Sequence, residues 1–242
     1  MVRYGPYVAL SSPVWSVTSA EPGCMVRNEW VCGEYLRSRS SELTEALVQH
    51  VWITVVSVLI GLVIAFPLAL LARRYRKLEW FVVGTTTALY TIPSLALFSL
   101  LLPFTGLTAS TVVIGLVLYS LTILVRNILE GLRAVPAEVR ESALGMGYGS
   151  ARLLFGVELP LALPSVMAGL RVATVSTVAL TTVGSIIDYG GLGNLLYQAV
   201  NNQFRPQVLT ASVLCVLLAV AFDVLLVGAQ RLMTPWTRTR AV

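Results

Sequence analysis

Long apolar stretches separated by short charged ones dominate this chain. Between Ala46 and Ala72 there is no Asp, Glu, Lys or Arg, a run of 27 positions. A helix crossing the hydrocarbon core of a bilayer needs roughly 20 residues at 1.5 Å rise each. The next uncharged run, Trp80 to Val125, covers 46 residues and has room for two crossings, with a turn expected around Pro103, Thr105, Gly106, Thr108 and Ser110. A fourth stretch follows Pro160, interrupted only by Arg171, and a fifth carries Asp223. The pattern predicts five spans, at 48–71, 80–102, 111–132, 164–187 and 207–230, with a polar loop at 133–160. Pro67 and Pro93 fall inside predicted spans, where neighbouring helices can absorb a kink.

The ends are more polar. Tyr7 to Val17 is too broken by Ser11, Ser12 and Pro13 to form the apolar segment of a signal peptide. From Trp30 onward, Trp30, Tyr35, Leu36, Leu43 and Leu47 mix with Glu34, Arg37, Arg39, Glu42 and Glu45, the pattern of a helix lying at a membrane interface. Residues 1–45 therefore read as an extracytoplasmic arm, and 231–242 as a cytoplasmic tail.

Composition agrees with lipid as the solvent. Charged residues are 12% of the 242, against about 25% in soluble domains, and 56% are apolar. The mean hydropathy is +0.79. The net charge of +5 is then read by loop position, not as a nucleic-acid footprint. With the N-terminus outside, the cytoplasmic segments hold Arg73, Arg74, Arg76, Lys77, Arg126, Arg133, Arg140, Arg152, Arg231, Arg238 and Arg240, eleven residues. The other side holds five: Arg3, Arg27, Arg37, Arg39 and Arg205. That bias favours N-out, C-in. Lys77 is the only lysine and no glycine precedes it in phosphate-loop spacing, so this chain binds no ATP through a P-loop. One histidine, His50, and three cysteines without a CxxC pair give no metal or redox signature. Cys24 and Cys32 would face an oxidising compartment; their spacing leaves a disulfide open.

In the loop, Pro136 suits a first helical turn, Glu138 lies near the positive helix end, and Gly147 and Gly149 can stop the helix. A connector and a partner-docking helix both fit these residues. Glu141-Ser142-Ala143, three residues, Gly147, nine residues, Val157, Glu158 and Leu159-Pro160 resemble the cytoplasmic motif of ABC importer permeases, Glu-Ala-Ala, three residues, Gly, nine residues, Ile, one residue, Leu-Pro. Thr91-Ile92-Pro93-Ser94-Leu95-Ala96-Leu97, Val125-Arg126-Asn127, Met167-Ala168-Gly169-Leu170-Arg171 and Gly190-Gly191-Leu192-Gly193 extend the likeness to permeases of osmoprotectant importers, over roughly residues 45–235.

The resemblance implies an all-α polytopic membrane protein of the type I ABC importer permease fold, with five transmembrane helices and a cytoplasmic coupling helix. It implies a permease subunit for a compatible solute such as glycine betaine, choline or carnitine, in the bacterial cytoplasmic (inner) membrane. The implied partners are two ATPases holding ATP and Mg, a second permease (identical or paralogous) and a separate substrate-binding protein; the chain itself is non-catalytic and needs no cofactor, metal or nucleic acid. Glu141, Ser142, Ala143, Gly147, Val157, Leu159 and Pro160 become the ATPase-coupling residues, with the small residues Ser142, Ala143, Gly145 and Gly147 allowing close approach and Leu159-Pro160 ending the loop rigidly. Pro93 and Ser94 become gate candidates. Tyr90 and Tyr119 offer aromatic faces to a quaternary ammonium, or simply pack with satisfied hydroxyls. A permease for an amino acid or other small polar solute stays open, as does an ion-coupled secondary transporter using Asp188 or Asp223.

Charges inside the spans carry a further expectation. Arg171 lies about 10 Å past Pro164, Asp223 about 12 Å before Arg231 and Arg126 about 10 Å before Arg133. Their depths match. Arginine can snorkel over that distance, but aspartate is too short. Asp223 is therefore expected to face the bundle and pair with Arg171 or Arg126.

Overall fold

The computed structural model describes residues 23–236, and they form helices and turns without a strand. The expectations for Tyr7–Val17, Arg3, Arg238 and Arg240 lie outside the described residues. Ten α-helices follow in order: α1 (Gly33–Ser38), α2 (Ser40–Arg74), α3 (Arg76–Thr91), α4 (Ser94–Thr105), α5 (Ala109–Arg133), α6 (Ala137–Gly145), α7 (Ser150–Leu153), α8 (Leu159–Thr181), α9 (Leu192–Asn201) and α10 (Arg205–Met233). A π turn, Leu154–Glu158, joins α7 to α8, and a 3-10 turn, Thr182–Ile187, extends α8.

Four helical stretches are long and apolar enough to cross a membrane: Ser40–Arg74, Ala109–Arg133, Ser150–Ile187 and Arg205–Met233. At 35 residues α2 is about 52 Å long, well beyond a ~30 Å hydrocarbon core, so its ends stand clear of the lipid. The amphipathic segment expected from Trp30 onward is thus divided between short α1 and the first turns of α2.

The expected span at 80–102 is not one straight helix. Helices α3 and α4 meet at 101°. Pro93 has no N–H to continue the ladder and drives the residue before it out of the α region; Ile92 accordingly adopts φ −68°, ψ 128°. The turn expected around residues 103–110 falls at residues 106–108. Pro103 sits inside α4, and the chain leaves the helix at Gly106, whose φ is +70°. The loop at 133–160 is shorter than expected too, because helix resumes at Ser150 and Leu159-Pro160 forms the first turn of α8, not a rigid loop end.

Helix α5 is the hub. Its most apolar stretch is 72% buried, against 6% for α10. Ala65, Ala69 and Ala72 of α2, Leu124, Ile128 and Leu132 of α5, and Ala162, Val166 and Ala173 of α8 form the main core. At the α5–α8 crossing a Cβ on Gly169 would lie 2.7 Å from Asn127 Cγ, so the backbones approach as closely as glycine allows. A second core, with Ile53, Phe98, Val112, Leu116 and Ile187, ties bent α4 to α2 and α5. Near the N-terminal end Cys24 and Cys32 are joined as a disulfide. The loop they close docks on the α9–α10 junction: Asn28 donates to Gln203 O (2.9 Å) and accepts from Arg205 N–H (2.8 Å), while the Arg205 guanidinium lies 5.7 Å over Trp30.

Candidate functional site

Helix α6 carries the first half of the singled-out motif. Pro136 precedes it, Glu138 stands in its first turn, and Gly147, at φ +84°, turns the chain away. Ala143 is 2% exposed and faces inward, pinning α6 to the protein. Of the small residues expected to let a partner approach, Ala143 is thus turned away from the outer face. Glu141 and Ser142 are exposed, and the Ser142 hydroxyl donates to Glu138 O at 2.7 Å. Cβ atoms placed on Gly145, Gly147 and Gly149 would meet nothing within 4 Å. Around them Leu144 (53%), Met146 (71%) and Phe155 (60%) are bare. A small helix with open backbone and exposed apolar side chains suits a docking knob.

Val157, Leu159 and Pro160 are half-buried at the base of α8. Between them stands Glu158, which motif reasoning left without a role. Its side chain is 5% exposed. Arg73 donates to both carboxylate oxygens, at 2.7 and 2.6 Å, and Arg140 Nε lies 2.8 Å from Oε1. The signal available in sequence was one acid in the apolar run Leu153–Leu163.

The gate candidates gather at the α3–α4 break. The Tyr119 hydroxyl, on buried α5, donates to Ile92 O, and its ring meets Tyr90 edge-on at 5.7 Å. Tyr119 therefore packs with its hydroxyl satisfied, while Tyr90 is 45% exposed. Pro93 is exposed and Ser94 half-buried at the same break.

Of the intramembrane charges, Arg171 and Asp223 form a two-point pair, Nε–Oδ1 2.8 Å and Nη2–Oδ2 3.0 Å. They line a groove of about 550 Å³ between α8 and α10 with Ala168, Val172, Ser176 and Ala219. Arg126 does not join them. It looks from α5 towards α3 and donates to Thr87 Oγ1 at 2.8 Å, about two turns from the Arg133–Glu79 ion pair. Asp188, at φ +64°, closes the 3-10 turn on the surface, its backbone carbonyl held by Asn194 at 3.0 Å. One candidate ion-coupling carboxylate is thus outside the helix bundle and the other is occupied by an arginine.

Residues 57–239 match the family described as binding-protein-dependent transport system inner membrane component. The chain belongs to that family. It is a permease, a multi-pass membrane subunit of an ABC-type importer. Among similar proteins, the choline transport system permease OpuBB of Bacillus subtilis is 31% identical over 84% of this chain and 93% of its own. The glycine betaine/carnitine/choline permease OpuCD of the same organism is 33% identical over 84% and 89%. The osmoprotectant import permease OsmW of Salmonella typhimurium is 32% identical over 83% and 96%. The inward-facing MetNI methionine ABC transporter shares the fold, with a TM-score of 0.70 at 22% identity over 79% of this chain and 96% of that one.

Proposed function

We propose that this permease carries a quaternary-amine osmoprotectant, such as glycine betaine, choline or carnitine, across the bacterial cytoplasmic (inner) membrane. One observation carries the reading: relatives named for those solutes match more than four-fifths of the chain at 31–33% identity. The half-exposed Tyr90 ring, backed edge-on by Tyr119, offers an aromatic face to a trimethylammonium group beside the Pro93–Ser94 break.

The chain runs N-out, C-in, as the distribution of arginines favours. Helix α6 is then the cytoplasmic coupling helix. Ala143 anchors it from within, Glu141, Ser142 and Gly147 present its outer face, and Val157, Leu159 and Pro160 join it to the base of α8. Each of two ATPases, holding ATP and Mg, receives one α6. A second permease subunit, identical or paralogous, completes the pathway, because one five-span chain can line only half of it. A substrate-binding protein delivers solute from the other side. The Arg171–Asp223 pair braces α8 against α10 as α6 moves.

Uptake into proteoliposomes containing the permease, its ATPase and its binding protein tests the proposal. Labelled glycine betaine, choline or carnitine should accumulate with ATP and fail to accumulate without it. Accumulation of amino acids in their place, or uptake indifferent to ATP, would overturn it.

A further inference from the structure

Three elements meet on one carboxylate. Glu158 closes the π turn ahead of α8, Arg73 is the penultimate residue of α2, and Arg140 lies mid-way along α6. Helix α6 otherwise packs on α7 and the π turn, so its ties to the bundle are few. The Arg73 fork fixes both oxygens of Glu158, and the Arg73 side chain is 18% exposed. A bidentate arginine–carboxylate pair holds direction as well as distance. Arg140 adds the third corner from a half-exposed position. Losing one partner of a buried pair leaves a charge without compensation, so the corners hold each other in place.

The helix beneath this joint is itself irregular. Pro160 has no N–H to bond Gly156 O, and its ring crowds that carbonyl. The residues just before it adopt π geometry, Leu154 to Glu158. Such turns are one residue out of step with the α ladder and occur often at functional positions. A rigid charged clamp therefore sits on a helix segment with a second register close at hand.

We propose that Glu158 is a positioning residue for coupling: held by Arg73 and Arg140, it transmits movement of α6 to α2 and α8 together. This rests on the reading of α6 as the ATPase-docking helix. A displacement of α6 pulls Arg140, Arg140 turns the Glu158 carboxylate, and the π turn lets the base of α8 follow without breaking its packing. Arg73 makes α2 move with it.

The test uses the full complex in proteoliposomes and counts solute taken up per ATP hydrolysed. Arg140→Gln should reach the membrane at the normal level and co-purify with the ATPase. Its uptake per ATP should fall about tenfold, the scale of a mutation along a coupling path. Arg140→Lys should restore most of the ratio, since it keeps the charge and loses only the fork. Glu158→Gln should lower the ratio at least as far. Unchanged stoichiometry in both Arg140→Gln and Glu158→Gln overturns the joint. So does a fall in uptake that only matches a fall in subunit level, which marks a structural role. Loss of ATPase from Arg140→Gln alone overturns it as well, by making Arg140 a docking contact. If the ATPase fails to co-purify with the unmodified permease, the docking reading of α6 falls first and the joint with it.

Discussion

Two regions along α2, one at His50 about three turns into the helix and one at Arg73 at its C-terminal end, stand about 35 Å apart, and glycine is used in opposite ways beside them. Near His50 the Gly190-Gly191-Leu192-Gly193 turn is jammed into the fold. A Cβ on Gly191 would sit 2.7 to 2.8 Å from the His50 Cβ and backbone. Its N–H donates to Gln49 (3.1 Å) and Gly190 N–H donates to Asn194 (2.9 Å). His50 itself is fully buried, its Nε2 3.0 Å from Val178 O. Near Arg73 the Gly145, Gly147 and Gly149 backbone faces open space. The first region is already packed to its limit. The second has been left bare, with apolar neighbours exposed, as the proposed docking of α6 on a partner requires.

Substitution at Gly191 should break the comparison most sharply. Gly191→Ala adds a Cβ at φ +56° against the α2 backbone and should cost about 3 kcal/mol of subunit stability, read by thermal unfolding in detergent. At the open end, Met146→Asp should leave unfolding within about 0.5 kcal/mol yet weaken ATPase co-purification about thirtyfold, a hot-spot loss. Gly145→Trp sharpens the same point. It adds bulk without the left-handed strain that any residue would meet at Gly147, so lost docking there would be steric alone. Between the two regions, Asp223→Asn deprives Arg171 of its carboxylate and should reduce the amount of permease in the membrane roughly twofold to fivefold, measured by quantitative immunoblot. The smallest effect is expected at the disulfide-closed loop. Trp30→Ala removes the aromatic face under Arg205 and should cost about 0.5 to 1 kcal/mol, again by thermal unfolding.

Much of this could be read before any coordinates. Charge gaps located the apolar stretches because a helix in lipid has few other ways to satisfy its backbone, and equal depth brought Arg171 and Asp223 together as candidates. The break at Ile92–Pro93 was harder. Pro67 lies in an equally apolar run and α2 passes through it, whereas at Pro93 the freed Ile92 carbonyl is captured by the Tyr119 hydroxyl from another helix. Proline permits a break; a partner distant in sequence decides it. Glu158 escaped for a similar reason. Its anchoring Arg73 is 85 positions away, and the motif around it leaves that position unassigned. The inward turn of Ala143 was hidden because small residues on a nine-residue helix leave little periodicity to read.

The most direct test of the account is a photo-crosslinking residue placed at Met146 in the intact transporter. Exposed on the open side of α6, it should form its adduct with the ATPase subunit, and the yield should collapse when Gly145 is also made tryptophan. An adduct with the substrate-binding protein, or with lipid alone, would contradict the assignment of α6 as the coupling helix.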